Sequence, residues 1–176
     1  AKGDYDLSLE LLAAAGRSHP DIPTKKGTSG RFARPSQDDE PDESGLPLVP
    51  IGGDAVLPIH AASGVGYGVA RAGNSHRHVP DGWLPAVKYL VEELGADVDA
   101  RDHDGYSPVH HAAARGDNEL IRYLVSRGAD VTYVSRRGQT TADLANGPQQ
   151  RVQPFFGTIV LLEKLGSKNN HDCLSC

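Results

Sequence analysis

No run in this 176-residue chain is apolar for long enough to span a membrane, so an integral membrane role has no segment to carry it. Basic residues do not dominate either. The 18 Lys and Arg are outnumbered by 23 Asp and Glu, and the net charge of −5 argues against general nucleic-acid binding. Phosphate-cradling loops of the Walker type and dinucleotide fingerprints are missing. So is the nucleophile elbow of the hydrolases. Gly64-Val65-Gly66-Tyr67-Gly68 is glycine-rich, but it follows a helical stretch rather than a strand and so lacks the context of a phosphate site. Cysteine is scarce: Cys173 and Cys176 both lie in the last four residues, which confines thiol chemistry to the tail.

What is present is a period. Gly138 lies 33 residues after Gly105, and the segment between them reads YSPVHHAAARGDNELIRYLVSRGADVTYVSRR. Pro108 suits the first turn of a helix, where its missing N–H costs nothing. Ala112, Ala113 and Ala114 are small enough for close helix packing, and Gly116 ends that helix. A second helix follows, with Leu120, Ile121, Leu124 and Val125 on one face. Gly128 suits a left-handed C-terminal cap, and the polar stretch 130–137 reads as an extended turn. Three segments share one landmark: VKYLVEELGAD, IRYLVSRGAD and IVLLEKLGSK.

The motifs LPIHAA at 57–62 and SPVHHAA at 107–113, with the Gly-Ala-Asp endings at 95–97 and 128–130, resemble the T-P-L-H-x-A-A pattern of ankyrin repeats. The resemblance implies an all-α fold, an ankyrin-repeat solenoid of helix-turn-helix units joined by β-turns and interrupted by long loop insertions. It implies that His60 and His110 hydrogen-bond turn backbone and order neighbouring units. The third copy, GQTTADLA, departs from the motif, with Thr141 at the place of Pro108 and Asp143 at the place of His110. Such changes are associated with terminal copies.

The expected organisation is a partial repeat at 1–16, a Pro/Gly-rich charged insertion at 17–54, a repeat at 55–104 with an inter-helix insertion at 64–80, repeats at 105–137 and 138–170, and a Cys-containing tail at 171–176. Ala1-Lys2-Gly3-Asp4 resembles Ala114-Arg115-Gly116-Asp117, so the chain is expected to start inside a repeat, as a fragment of a longer protein. The visible lack of a signal peptide at Ala1 therefore says little about compartment. The first insertion begins basic (Lys25, Lys26, Arg31, Arg34), turns acidic (Asp38 to Glu43), and reads as a solvated loop whose apolar end, 46–51, ties back to the stack.

Repeat arrays usually hold a partner. The expected partner-binding residues are the groove and turn positions Arg101, His103, Tyr106, His111, Arg115, Tyr133, Arg136 and Arg137, taken as exposed, since Tyr and Arg are frequent hot spots. The second insertion adds the loop candidates His76, His78 and Trp83. His76 and His78 make a weak metal pair without a nearby carboxylate or thiol, so no metal site is expected. Arg115-Gly116-Asp117 spells an adhesion tripeptide but falls at an ordinary inter-helix turn, and the Asp104, Ser107, His110 trio is explained by repeat spacing. No catalytic residue is expected, and the chain is read as a non-enzyme.

The tail carries the alternative. Cys173 and Cys176 have the C-x-x-C spacing that, followed by His, attaches haem c, and the chain stops where that His would stand. The pattern resembles bacterial proteins in which ankyrin repeats run into a cytochrome-like domain. A disulfide, a redox pair, half of a zinc site with His171, and two free thiols on a frayed end stay open beside it. The main expectation is a protein-interaction scaffold or a structural subunit of a larger assembly. The alternative is the scaffold of an electron-transfer protein, periplasmic or extracellular if haem-bearing and cytoplasmic otherwise.

Overall fold

The structure, a computed structural model, describes residues 23–26, 42–65, 83–147 and 154–171. The partial repeat at 1–16, His76 and His78, and Cys173 and Cys176 lie outside the described residues.

Among the described residues six helices follow one another: α1 (Pro58–Ser63), α2 (Trp83–Glu92), α3 (Pro108–Ala114), α4 (Asn118–Ser126), α5 (Thr141–Ala145) and α6 (Phe156–Leu165). They form three pairs. In each pair a short first helix packs against a longer second one, and α3 lies between α1 and α5. Among the described residues there is no strand, only two isolated bridges, Lys25 with Asp54 and Val134 with Thr140.

Local chemistry sets these boundaries. Pro58 and Pro108 occupy the first turns of α1 and α3, each behind an extended residue, Leu57 and Ser107. Thr140 does the same work for α5, its hydroxyl accepting from the backbone N–H of Asp143. Asp117 caps α4 through the N–H of Leu120 at 2.9 Å. That bond gives the Arg-Gly-Asp tripeptide an ordinary structural role.

The first helices bring alanine to the contacts. Ala112, Ala113, Ala142 and Ala145 are fully buried, so the backbones of α3 and α5 can approach closely. The second helices supply bulk: Val87 and Leu90 from α2, Leu120, Ile121 and Leu124 from α4, Ile159 and Leu162 from α6. Each such leucine or isoleucine contributes about 1.5–3 kcal/mol on burial. α4 shows the pattern most cleanly, with those three residues inside and Glu119, Arg122 and Ser126 outside.

Residues 23–26 and 42–54 of the first insertion are mostly exposed and touch the repeats at a few points. Thr24 N–H donates to the carbonyl of Val56 and Ala55 N–H to that of Thr24, both at 2.8 Å, and Lys26 N–H donates to the carbonyl of Gly53 at 2.7 Å. Within the insertion itself, Lys25 pairs with Asp54 at 2.5 Å on the exposed surface, and Lys26 donates to the carbonyl of Val49 at 2.8 Å.

Candidate functional site: the row of turns

Successive turns are bolted together by side chains that reach one unit along the chain. The recurring geometry begins with the histidines. Leu57 N–H donates to Nδ1 of His60 and Ser107 N–H to Nδ1 of His110, each at 3.1 Å. With Nδ1 accepting, the proton sits on Nε2. His60 then donates to the carbonyl of Ala100 at 2.9 Å, and His110 to that of Gln139 at 3.3 Å. Each ring thus closes its own helix start and grips the next turn. Burial pushes both imidazoles down, His110 to about 3 with Arg101 and His111 adding to the effect, so both are neutral at ordinary pH.

Other links repeat at the 33-residue register. The Arg101 guanidinium donates to the carbonyl of Val134 and, through Nε, to that of Gly105 at 2.6 Å. Its plane lies 4.6 Å from the Tyr133 ring. Tyr106 Oη donates to Gln139 Oε1 at 2.6 Å. Arg136 Nε donates back to the carbonyl of His103 at 2.9 Å, and its N–H to that of Asp104 at 3.1 Å.

Asp102 organises the middle turn, and the sequence reading missed it. Its Oδ1 accepts from Asp104 N–H at 3.0 Å and Tyr106 N–H at 2.9 Å, and its Oδ2 from His111 Nε2 at 2.9 Å. Burial alone would raise this carboxyl, but the His111 hydrogen bond and charge outweigh it and hold the group below the usual range. An Asp followed by His-Asp-Gly is the sequence signal for such a side-chain-closed turn.

Two of the residues expected to be exposed are buried. His111, taken as exposed, is buried beside Asp102 and packs edge-on against His60 and Tyr106, with centroids 5.7 and 5.8 Å apart. Arg136 is also buried, because residues 42–47 lie over it: its guanidinium donates to the Asp42 carboxylate, to the carbonyl of Leu46 at 3.0 Å and to that of Pro47 at 2.6 Å. Both side chains are covered by other residues of this chain.

Arg115 and Trp83, assigned separately to groove and loop, belong to one cluster. The Arg115 guanidinium lies 3.9 Å from the Trp83 ring and pairs with the Asp117 carboxylate. It joins the α3–α4 turn to the start of α2. His103, Tyr133 and Arg137 remain half-buried at the edge of the row. Among the described residues no group of three or more His, Cys, Asp or Glu is placed to hold a metal ion. No described helix is long and apolar enough to cross a membrane.

Paired helices linked by turns at fixed register define a tandem helical repeat protein. The comparisons bear on its kind. Residues 75–125 match the family model described as ankyrin repeats (many copies). Human protein phosphatase 1 regulatory subunit 27 is 38% identical over 84 residues, covering 47% of this chain and 54% of that protein. Mouse protein phosphatase 1 regulatory subunit 12A is 37% identical over 79 residues, 44% of this chain and 8% of that one. Mouse ankyrin repeat and SAM domain-containing protein 6 is 30% identical over 128 residues, 70% of this chain and 12% of that one. These matches support an ankyrin-repeat protein. They give no support to bacterial origin, a cytochrome-like domain or the haem alternative. The matched segment spans about half of regulatory subunit 27 and a far smaller share of the other two.

Proposed function

We propose that this chain is a non-enzymatic protein-binding module, a short ankyrin solenoid that meets its partner with the row of turns. The observation that carries the reading is the locked register of the turns. Arg101 to Val134, Tyr106 to Gln139 and Arg136 to His103 each bridge 33 residues, giving a rigid surface that binds without an ordering cost of its own. The polar groups inside the row are spent on these links, so the chemistry on view is structural. Two relatives are named as regulatory subunits of a phosphatase, a name that denotes work in a protein complex. The edge residues His103, Tyr133 and Arg137 form the contact zone of this reading.

The test is site-specific photocrosslinking in the source cell. A crosslinking residue replaces Tyr133 in one version of the chain and the exposed Glu119 on α4 in another. The expected result is a discrete protein adduct from position 133 and none from position 119. Equal adducts from both positions, or none from position 133, would overturn the reading.

A further inference from the structure

The end of the first insertion imitates a neighbouring turn. At Gly105 (φ +80°) a Cβ would meet the backbone N of Arg136 at 3.0 Å, because the next turn lies that close. At Gly138 (φ +71°), one period on, a Cβ would meet the Glu43 carboxylate at 2.6 Å. Glu43 N–H also donates to the carbonyl of Arg136 at 3.4 Å. Arg136 is thus held between His103 on one side and Asp42, Leu46 and Pro47 on the other.

From these contacts we infer that the Arg136–Gly138 turn is a docking site for an acidic, turn-forming peptide segment, filled in this chain by its own residues 42–47 and open to a partner that presents the same chemistry. This deepens the reading of the turns as a binding surface and rests on it. The recognition elements are specific. A forked guanidinium takes one carboxylate and two main-chain carbonyls four and five residues further along. The glycine leaves room for a second acidic side chain. Ser44 N–H donates to Asp42 Oδ1 at 3.0 Å and Gly45 has φ +68°, so the segment turns back and brings its carboxylate and its carbonyls to one guanidinium.

The internal occupant is also replaceable. Little apolar surface anchors it: Leu46 is only half-buried, and just beyond it Leu48 is 68% and Ile51 70% exposed. Polar contacts with little apolar burial make a weak hold. A partner with the same acidic and carbonyl pattern plus an apolar anchor would outcompete it, and the chain would then expose Leu48 and Ile51 on a released segment.

The test uses the full chain and a fluorescein-labelled peptide with the sequence of residues 42–51, read by fluorescence anisotropy. The double variant Asp42→Ala/Glu43→Ala loosens the internal segment without touching Arg136. It is expected to bind the peptide at least about tenfold more tightly than the unaltered chain. Adding Arg136→Gln to that variant should abolish the gain, and Arg136→Lys should restore only part of it, with circular dichroism confirming that both remain folded. Replacing the peptide's acidic residues by Asn and Gln should abolish binding to every version. Equal affinity for the unaltered and loosened chains, no binding to the loosened chain, or indifference to Arg136→Gln would each overturn the assignment. So would a light-scattering mass showing a dimer that loses its association on Asp42→Ala/Glu43→Ala, since the segment would then serve a second copy. Peptide failure with crosslinking at Tyr133 intact removes this site alone; loss of the crosslink with peptide binding intact removes the broader reading alone.

Discussion

The repeats built on α3 and α5 use the same position for opposite chemistry. His110 is a neutral ring that accepts from its own helix start and donates to the following turn. Asp143, at the equivalent place, can only accept. It takes Thr140 N–H at 2.9 Å on one side, and Asn170 N–H at 2.8 Å and Asn170 Nδ2 at 2.9 Å on the other. The inner half of the device is unchanged, since both close the helix start three residues back. The outer half is inverted. A histidine requires the next unit to present a carbonyl, and an aspartate requires it to present N–H groups. One side chain thus decides which face of the following backbone turns inward.

The strongest way to break this comparison is to delete both side chains in turn. His110→Ala strands a buried N–H at Ser107, leaves the Gln139 carbonyl with the Ser135 N–H alone, and opens a void among α1, α3 and α5. The expected cost is about 3 kcal/mol or more, from desolvated partners and lost packing. Asp143→Ala strands Thr140 N–H in the same way, but its outer partner, Asn170, is exposed and recovers its hydrogen bonds from water. The expected cost is about 2 kcal/mol. Chemical denaturation of the two variants against the unaltered chain measures both. An Asp143→Ala cost equal to or above that of His110→Ala would contradict the account.

Acid sharpens the contrast next. The His110 imidazole is held near 3 in the folded chain, against about 6.5 when unfolded. Above pH 6.5 both states are neutral and the ring contributes no pH dependence. Between pH 6.5 and about 3 the unfolded chain takes up a proton that the folded chain refuses, so stability falls with decreasing pH by ~1.4 kcal/mol per unit from this group. His60 is shifted in the same direction and adds to the slope. Asp102, held below the usual carboxylate range, adds a further loss at the acid end of that window. Denaturation midpoints measured from pH 7 to pH 4.5 should fall steadily, and the His110→Ala chain should show a visibly shallower slope. A flat profile in the unaltered chain would contradict the neutral-histidine assignment.

How far the sequence reveals this depends on the range of each contact. The repeat was legible because its signals are local or periodic: Pro108 three residues from Gly105, Gly128 after Leu124, and a second glycine one period on. The substitution of His by Asp at position 143 was visible, and its consequence at Asn170 was not, because nothing in the sequence states which backbone groups curl back after α6. His111 was misjudged as exposed because its neighbour Asp102 was not recognised as the acceptor that draws the ring inward. The grip on residues 42–47 was beyond reach for a similar reason. Arg136 and Asp42 are 94 residues apart, and no period connects them. A charged, proline-bearing insertion looks solvated until a specific guanidinium is seen to hold its carbonyls.

The smallest expected effect separates the two helix starts themselves. Thr140 Oγ1 accepts from Asp143 N–H at 3.1 Å and donates to the carbonyl of Lys168 at 2.5 Å, so one hydroxyl both caps α5 and fastens the chain after α6. Ser107 Oγ lies 2.9 Å from His110 Nδ1, an acceptor that its own backbone N–H already occupies, and it makes no cap hydrogen bond to the α3 backbone. The serine hydroxyl is therefore nearly redundant while the threonine hydroxyl is not. Thr140→Ala should cost ~1–2 kcal/mol and Ser107→Ala about 0.5 kcal/mol or less, although Ser107 is the more central of the two. The reverse order in parallel denaturation curves would mean that position in the stack, rather than the hydrogen bonds each hydroxyl makes, sets the contribution of these starts.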